Sequence, residues 1–107
     1  MVEIKEVIDY KYFKGYILGN WMYLDELNLK SFADKRACLR AYVKAINDMI
    51  DRDLEGWYSE IPPSNGIAVK LNLHLGAVPA KVNKEGELVF FRLIDDFKRR
   101  KKDANIQ

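Results

Sequence analysis

The stretch SFADKRACLRAYVKAINDMIDRDL, residues 31–54, decides the reading of this chain. Phe32, Leu39, Val43, Ile46, Ile50 and Leu54 recur at steps of three, four and seven, the spacing of one helix face, and mark the expected buried stripe. Ser31 is placed to N-cap this helix, with Asp34 as the shorter acid of a capping box, and Gly56 stands where a C-cap is expected. The charges run against the helix macrodipole. Lys35, Arg36, Arg40 and Lys44 fill the first half and Asp48, Asp51, Asp53 and Glu55 follow in the second. Each end favours the opposite sign by about 0.3–1 kcal/mol per exposed charge. Another segment or a partner is therefore expected to neutralise the two ends: Asp25 and Glu26 at the basic start, or the basic C-terminal tail at Asp48, Asp51 and Asp53. Arg36, Arg40 and Lys44 also follow at four-residue steps, which makes them one basic ridge.

Downstream, Ile67, Val69, Leu71, Leu73 and Leu75 alternate with Ala68, Lys70, Asn72 and His74, which predicts a strand over 67–75 with one apolar and one polar face. A hairpin is expected next, with 80–83 and 87–93 flanking the turn at Lys84, Glu85 and Gly86. A short helix from about Ile94, or from as early as Leu88, runs to Lys102 and frays at its end. In the N-terminal third, Tyr10, Phe13, Ile17, Trp21 and Leu24 fit a helix face. Gly15 and Gly19 would each cost such a helix about 1 kcal/mol relative to alanine. A hairpin turning at Gly19 and Asn20 is the preferred alternative. The stretch from Ile61 through Pro62, Pro63, Ser64 and Asn65 to Gly66 reads as a rigid loop ending in a turn.

A chain of 107 residues holds about one domain, and 1–107 is read as a single globular unit whose basic end, about 98–107, frays. Eighteen bases against sixteen acids leave +2, too little to imply a polyanionic partner from composition alone. One cysteine, Cys38, rules out an intrachain disulfide and reads as a small core residue in a reducing compartment. No signal-like segment or membrane-length apolar run is found, so a soluble cytoplasmic location is expected.

Cofactors and metals are not expected. One His and one Cys make no zinc site, no Asp spacing matches a calcium loop, and no phosphate-binding glycine loop is present. His74, the only histidine, could act as general acid or base with Lys70 or a tyrosine, against the blander reading of an exposed polar residue. Trp57 and Tyr58 are either a loop-borne recognition anchor or rings folded over the core. Two basic surfaces could neutralise phosphates: the helix ridge, and the run Lys98, Arg99, Arg100, Lys101, Lys102, which could equally serve the last turn of a helix and solubility. Lys70, Asn72, His74, Lys81, Asn83 and Arg92 would add donors from the polar sheet face.

Together these features predict an α+β fold, a small, mainly antiparallel sheet packed against one long amphipathic helix. The expected role is a non-enzymatic protein-binding module, an accessory or inhibitory protein of viral or mobile-element type that docks on a larger protein, such as a nucleic-acid-handling enzyme. The binding residues expected are Arg36, Arg40, Lys44, Trp57, Tyr58, Lys70, Asn72, His74, Arg99 and Arg100. The alternatives are direct nucleic-acid binding through ridge and tail, and a small hydrolase or ribonuclease centred on His74. A sheet face left uncovered would favour a homodimer.

Overall fold

The computed structural model describes residues 3–25 and 32–95 together with Phe97, with the side chains of 32–35 excepted. The expected caps at Ser31 and Asp34, the pairing of Glu26 and the basic run with Arg99 and Arg100 lie outside these residues. The elements are β1 (Ile4–Asp9), β2 (Lys14–Leu18), β3 (Trp21–Asp25), α1 (Phe32–Asp51), β4 (Gly56–Ile61), α2 (Gly66–His74), β5 (Val78–Val82) and β6 (Leu88–Leu93). The six strands form one sheet in the order β1-β2-β3-β4-β6-β5, so the class is α+β. β3 and β4 pair in parallel and all other neighbours are antiparallel, which makes the sheet mixed. The parallel pair follows from α1, because a crossover helix returns the chain to run in the direction it left.

The N-terminal third is the hairpin: β2 and β3 join through Gly19 and Asn20, with Gly19 at φ +60 in the first turn position, where a II′ turn places glycine. The second hairpin also forms, its turn closed by Asn83 N–H donating to the Glu87 carbonyl at 2.9 Å and by Gly86 at φ +80.

The expected strand over 67–75 is instead α2. Asn65 decides this locally: its side-chain oxygen accepts from the Ala68 N–H at 3.3 Å and its carbonyl from the Val69 N–H at 3.1 Å. At the other end Ala77 N–H reaches the Asn72 carbonyl and Gly76 N–H the Leu73 carbonyl, with Gly76 at φ +83, the two bonds of a Schellman motif. Burial cuts across the expected faces, with Leu71 buried and Lys70 and His74 exposed as the alternation had them. Ala68 and Asn72, assigned to the polar face, are buried, whereas Ile67 and Leu73 are exposed. Ala68, Leu71 and Asn72 fall at steps of three and four, so the alternation was a second pattern written over a helical one.

In α1 the buried stripe is Cys38, Tyr42, Ala45, Ile46 and Met49, and Val43, expected inside, is 56% exposed. Gly56 is not its cap. The helix closes at Asp53, at φ +55, with Leu54 N–H on the Met49 carbonyl and Asp53 N–H on the Ile50 carbonyl. Gly56 starts β4, where a Cβ would overlap the Arg92 carbonyl of β6.

Both helices cover the same face of the sheet. Trp57, fully buried in β4, has the Tyr42 ring of α1 at 6.4 Å and donates from Nε1 to Asn72 Oδ1 of α2 at 3.4 Å. Tyr10, Phe13, Ile17, Met22, Leu24 and Phe90 belong to the same core, together with Leu54, Ile61, Leu71 and Ile94.

Two substitutions test these assignments by urea unfolding. Asn65→Ala should cost about 1 kcal/mol as a lost N-cap, a loss the strand reading does not predict. Gly56→Ala should cost about 1–3 kcal/mol as overpacking against β6.

Candidate functional site

Register and pleat assign the other face of the sheet. Successive side chains along a strand point to opposite faces, and residues paired across strands share one. Pairing aligns Val7 with Tyr16, Tyr16 with Tyr23, Tyr23 with Tyr58, Tyr58 with Phe91, and Phe91 with Val78. One row of side chains, apolar or aromatic at every position, therefore crosses all six strands on the face away from the helices. The Tyr16 and Tyr23 rings are 6.2 Å apart and those of Tyr23 and Tyr58 4.9 Å, both tilted. A flanking row adds Ile4, Leu18, Trp21 and Leu93. None of these side chains belongs to the core cluster or packs against it. Val7 and Val78, at the two ends of the aromatic row, are about half exposed, and the rings between them are half-buried by one another.

The third row is charged. It contains Asp9 and Lys14, which are paired, Asp25, which pairs with Lys14, and then Glu60 opposite Val89, with Lys81 beyond. Burial, followed by the charges of Asp25, Glu60 and Glu87, raises the Tyr23 hydroxyl far above the usual phenol value. Burial and Glu60 raise Tyr58 as well, so both phenols stay protonated donors.

At this same end, past the last residues of β3 and β4, lies a cavity of about 280 Å³. Phe13, Leu24, Tyr42, Ile61 and Ala68 form its apolar wall, with Ser59 and Asn65 on the polar side and Asp25, Glu60 and Glu87 at its margin. Ser59 is 2% exposed and its Oγ has no hydrogen-bond partner among the described residues. Asn83 sets the carboxylates: its Nδ2 donates to Glu60 Oε2 at 2.5 Å and to Glu87 Oε1 at 3.1 Å, while its Oδ1 accepts from the Glu85 and Glu87 N–H groups. Tyr42 is held protonated by burial.

The residues singled out from sequence disperse over the molecule. Arg36, Arg40 and Lys44 are exposed on the side of α1 opposite its buried stripe, so the ridge faces away from the aromatic sheet face. Trp57 is core and cannot anchor a partner, whereas its neighbour Tyr58 is central to the open face. Asn72 is a buried connector: besides accepting from Trp57, it donates to the Ala68 carbonyl at 2.9 Å. Lys70 and His74 are exposed one turn apart on α2, so the polar sheet face that was to hold them with Asn72 does not exist. Of its other members, Lys81 is exposed on β5, Asn83 sits in the turn, and Arg92 donates to the Leu75 and Leu93 carbonyls. Cys38 is fully buried. No three His, Cys, Asp or Glu side chains among the described residues come together to hold a metal ion, and no helix is long and apolar enough to cross a membrane.

The acidic end of α1 is neutralised by a residue the charge count passed over. Arg52 grips Glu6 of β1 through Nε and Nη2, each at 2.9 Å, donates from Nη1 to the Asp48 carbonyl at 3.2 Å and sits 3.6 Å from the Asp48 carboxylate. The Asp48 carboxylate also accepts the Tyr10 hydroxyl at 2.8 Å. No sequence signal links Arg52 to Glu6, 46 positions away.

The guanidinium hydrogen bond holds the Glu6 carboxyl below its ordinary 4.5. A carboxyl depressed in the folded state contributes stability above its unfolded value and loses it as pH falls through the folded one. The stability gap between wild type and Glu6→Gln should therefore be present at neutral pH, close below pH 4.5 and shrink in high salt, as read by urea unfolding across pH. Comparison with protein-family models, curated proteins and solved structures gives no match, so the functional reading rests on this geometry.

Proposed function

We propose that this chain is a non-enzymatic protein-binding module, an accessory or inhibitory protein that docks on a larger protein through the helix-free face of its sheet. The observation that carries the reading is the apolar row from Val7 through Tyr16, Tyr23, Tyr58 and Phe91 to Val78. Six strands about 4.8 Å apart and strands about 17–20 Å long give a footprint of roughly 400–500 Å² before side-chain relief. That is a little over half of the ~800 Å² that a standard interface takes from each partner, so side-chain relief and the surrounding rim must supply the rest. Tyrosine, tryptophan and phenylalanine are enriched in interface cores and the first two among hot spots, and Trp21 joins three tyrosines here.

An aromatic sheet face could also stack nucleobases, but Asp25, Glu60 and Glu87 border this one and would repel a phosphate backbone. The nucleic-acid reading therefore belongs to Arg36, Arg40 and Lys44 on the far side of the molecule, where three exposed cations stand in line. A docking partner rich in basic surface, as a nucleic-acid-handling protein is, fits the carboxylate margin.

The test is affinity capture from source-cell lysate with and without nuclease, using wild type, the pair Tyr23→Lys and Phe91→Lys, and the triple Arg36→Gln, Arg40→Gln, Lys44→Gln, all confirmed folded by thermal unfolding. A stoichiometric protein should survive nuclease, be retained by the triple variant and be lost with the sheet-face pair. Capture that disappears with nuclease and with the triple variant would replace this reading by nucleic-acid binding. Sedimentation of wild type as a dimer that the sheet-face pair dissociates would assign the face to a second copy instead.

A further inference from the structure

We propose that the cavity beyond β3 and β4 receives one long cationic side chain, arginine or lysine, from the protein that docks on the aromatic face. The inference rests on the docking reading for the source of the cation, and on the cavity alone for its chemistry. Asp25, Glu60 and Glu87 all line the cavity, and among the described residues no Lys, Arg or His does. Asp25 and Glu60 also stand at the middle of the charged row of the open sheet face, so a partner seated there lies beside the cavity mouth.

The interior suits a flexible alkyl stem with a donor-only head. Phe13, Leu24, Tyr42 and Ile61 present apolar surface of the kind that lysine and arginine stems cover. A guanidinium offers five N–H donors and an ammonium three, and neither accepts. Every polar group the cavity most needs to satisfy is an acceptor or can act as one. The carboxylates keep lone pairs beyond those Asn83 uses, and the Ser59 hydroxyl is 98% buried with its Oγ unpartnered among the described residues. The pleat of β4 sends Ser59 to the same side as Trp57 and Ile61, the side on which the cavity is built. An unpaired buried hydroxyl is costly, and a donor brought into the cavity relieves it. An anion would meet three carboxylates, and a neutral group would bring them no counter-charge. At about 280 Å³ the space is just below the range that holds drug-sized ligands, and of the order of one long side chain.

Nuclear magnetic resonance titration of the full chain with Nα-acetyl-arginine methylamide tests this, with the citrulline analogue as a neutral isostere and spermidine as a free polyamine. The expected result is millimolar-range binding of the arginine probe, with the citrulline analogue weaker by about tenfold or more. Amide shifts should gather at Ser59, Ile61, Asn65, Ala68 and Glu87. The double variant Glu60→Gln, Glu87→Gln and, separately, Asp25→Asn should weaken the arginine probe while thermal unfolding shows them folded. Equal binding of the citrulline analogue, or shifts spread over the surface, would overturn the proposal. Spermidine binding about tenfold tighter than the arginine probe would overturn it in favour of a free polyamine. No arginine binding with capture through the sheet face intact removes the cation cavity and leaves the docking module. Arginine binding with capture indifferent to the sheet-face pair supports the cavity and removes the docking reading.

Discussion

Trp57 is the point on which both layers depend. It is fully buried in β4, its ring stands against Tyr42 of α1, and its one polar atom meets Asn72 of α2. A buried indole N–H without an acceptor would carry a desolvation cost, so α2 must present a polar side chain at this position. Asn72 fulfils that need and also donates to its own helix at the Ala68 carbonyl, which fixes its amide orientation. The tie is long at 3.4 Å, and its value lies less in strength than in leaving no buried amide or indole group orphaned. With α1 and α2 both committed to Trp57, both helices lie on one side. The aromatic row is left without cover from any described element.

The legible parts of this fold were those announced by residues adjacent in sequence. Gly19 and Gly86 marked their hairpins because a positive φ must be met at the turn itself. The long helix was legible from its period, though its stripe was misplaced onto Val43 because Tyr42, Ala45 and Met49 make an interior less hydrophobic in composition than the branched residues beside them. The region 67–75 failed for a related reason. Five apolar residues at alternate positions outweighed Ala68 and Asn72, whose burial is dictated by a tryptophan eleven and fifteen residues upstream. Asn65 caps the helix through the Ala68 N–H, but after two prolines and before Gly66 it read as part of a turn.

The candidate site was less legible still. Each of Tyr16, Tyr23, Tyr58 and Phe91 sits in an ordinary alternating segment, and only the register between β2, β3, β4 and β6 turns them into one surface. The reversed charges of α1 taught a similar lesson. At the acidic end the imbalance is met by Arg52, bound to Glu6 of the first strand, while Asp53 closes the helix in a left-handed conformation. At the basic end Arg36, Arg40 and Lys44 stay exposed, so the charge asymmetry survives as a surface property on the helix side.

The strand order leaves β1 and β5 at the two margins of the sheet, each with a row of backbone groups facing outward. Such margins invite further strands and, through them, fibrils. This chain interrupts both. The register breaks between Ile4 and Glu6 in β1 and between Pro79 and Lys81 in β5, Pro79 has no N–H to offer, and Lys5, Glu6, Asp9 and Lys81 place charge along the rims. Growth by strand addition is thereby discouraged at either end, while the broad aromatic surface between them is left uncovered by any described element. Any association through that flat side would stack one surface on another and leave the molecule a discrete particle, rather than lengthen its ribbon.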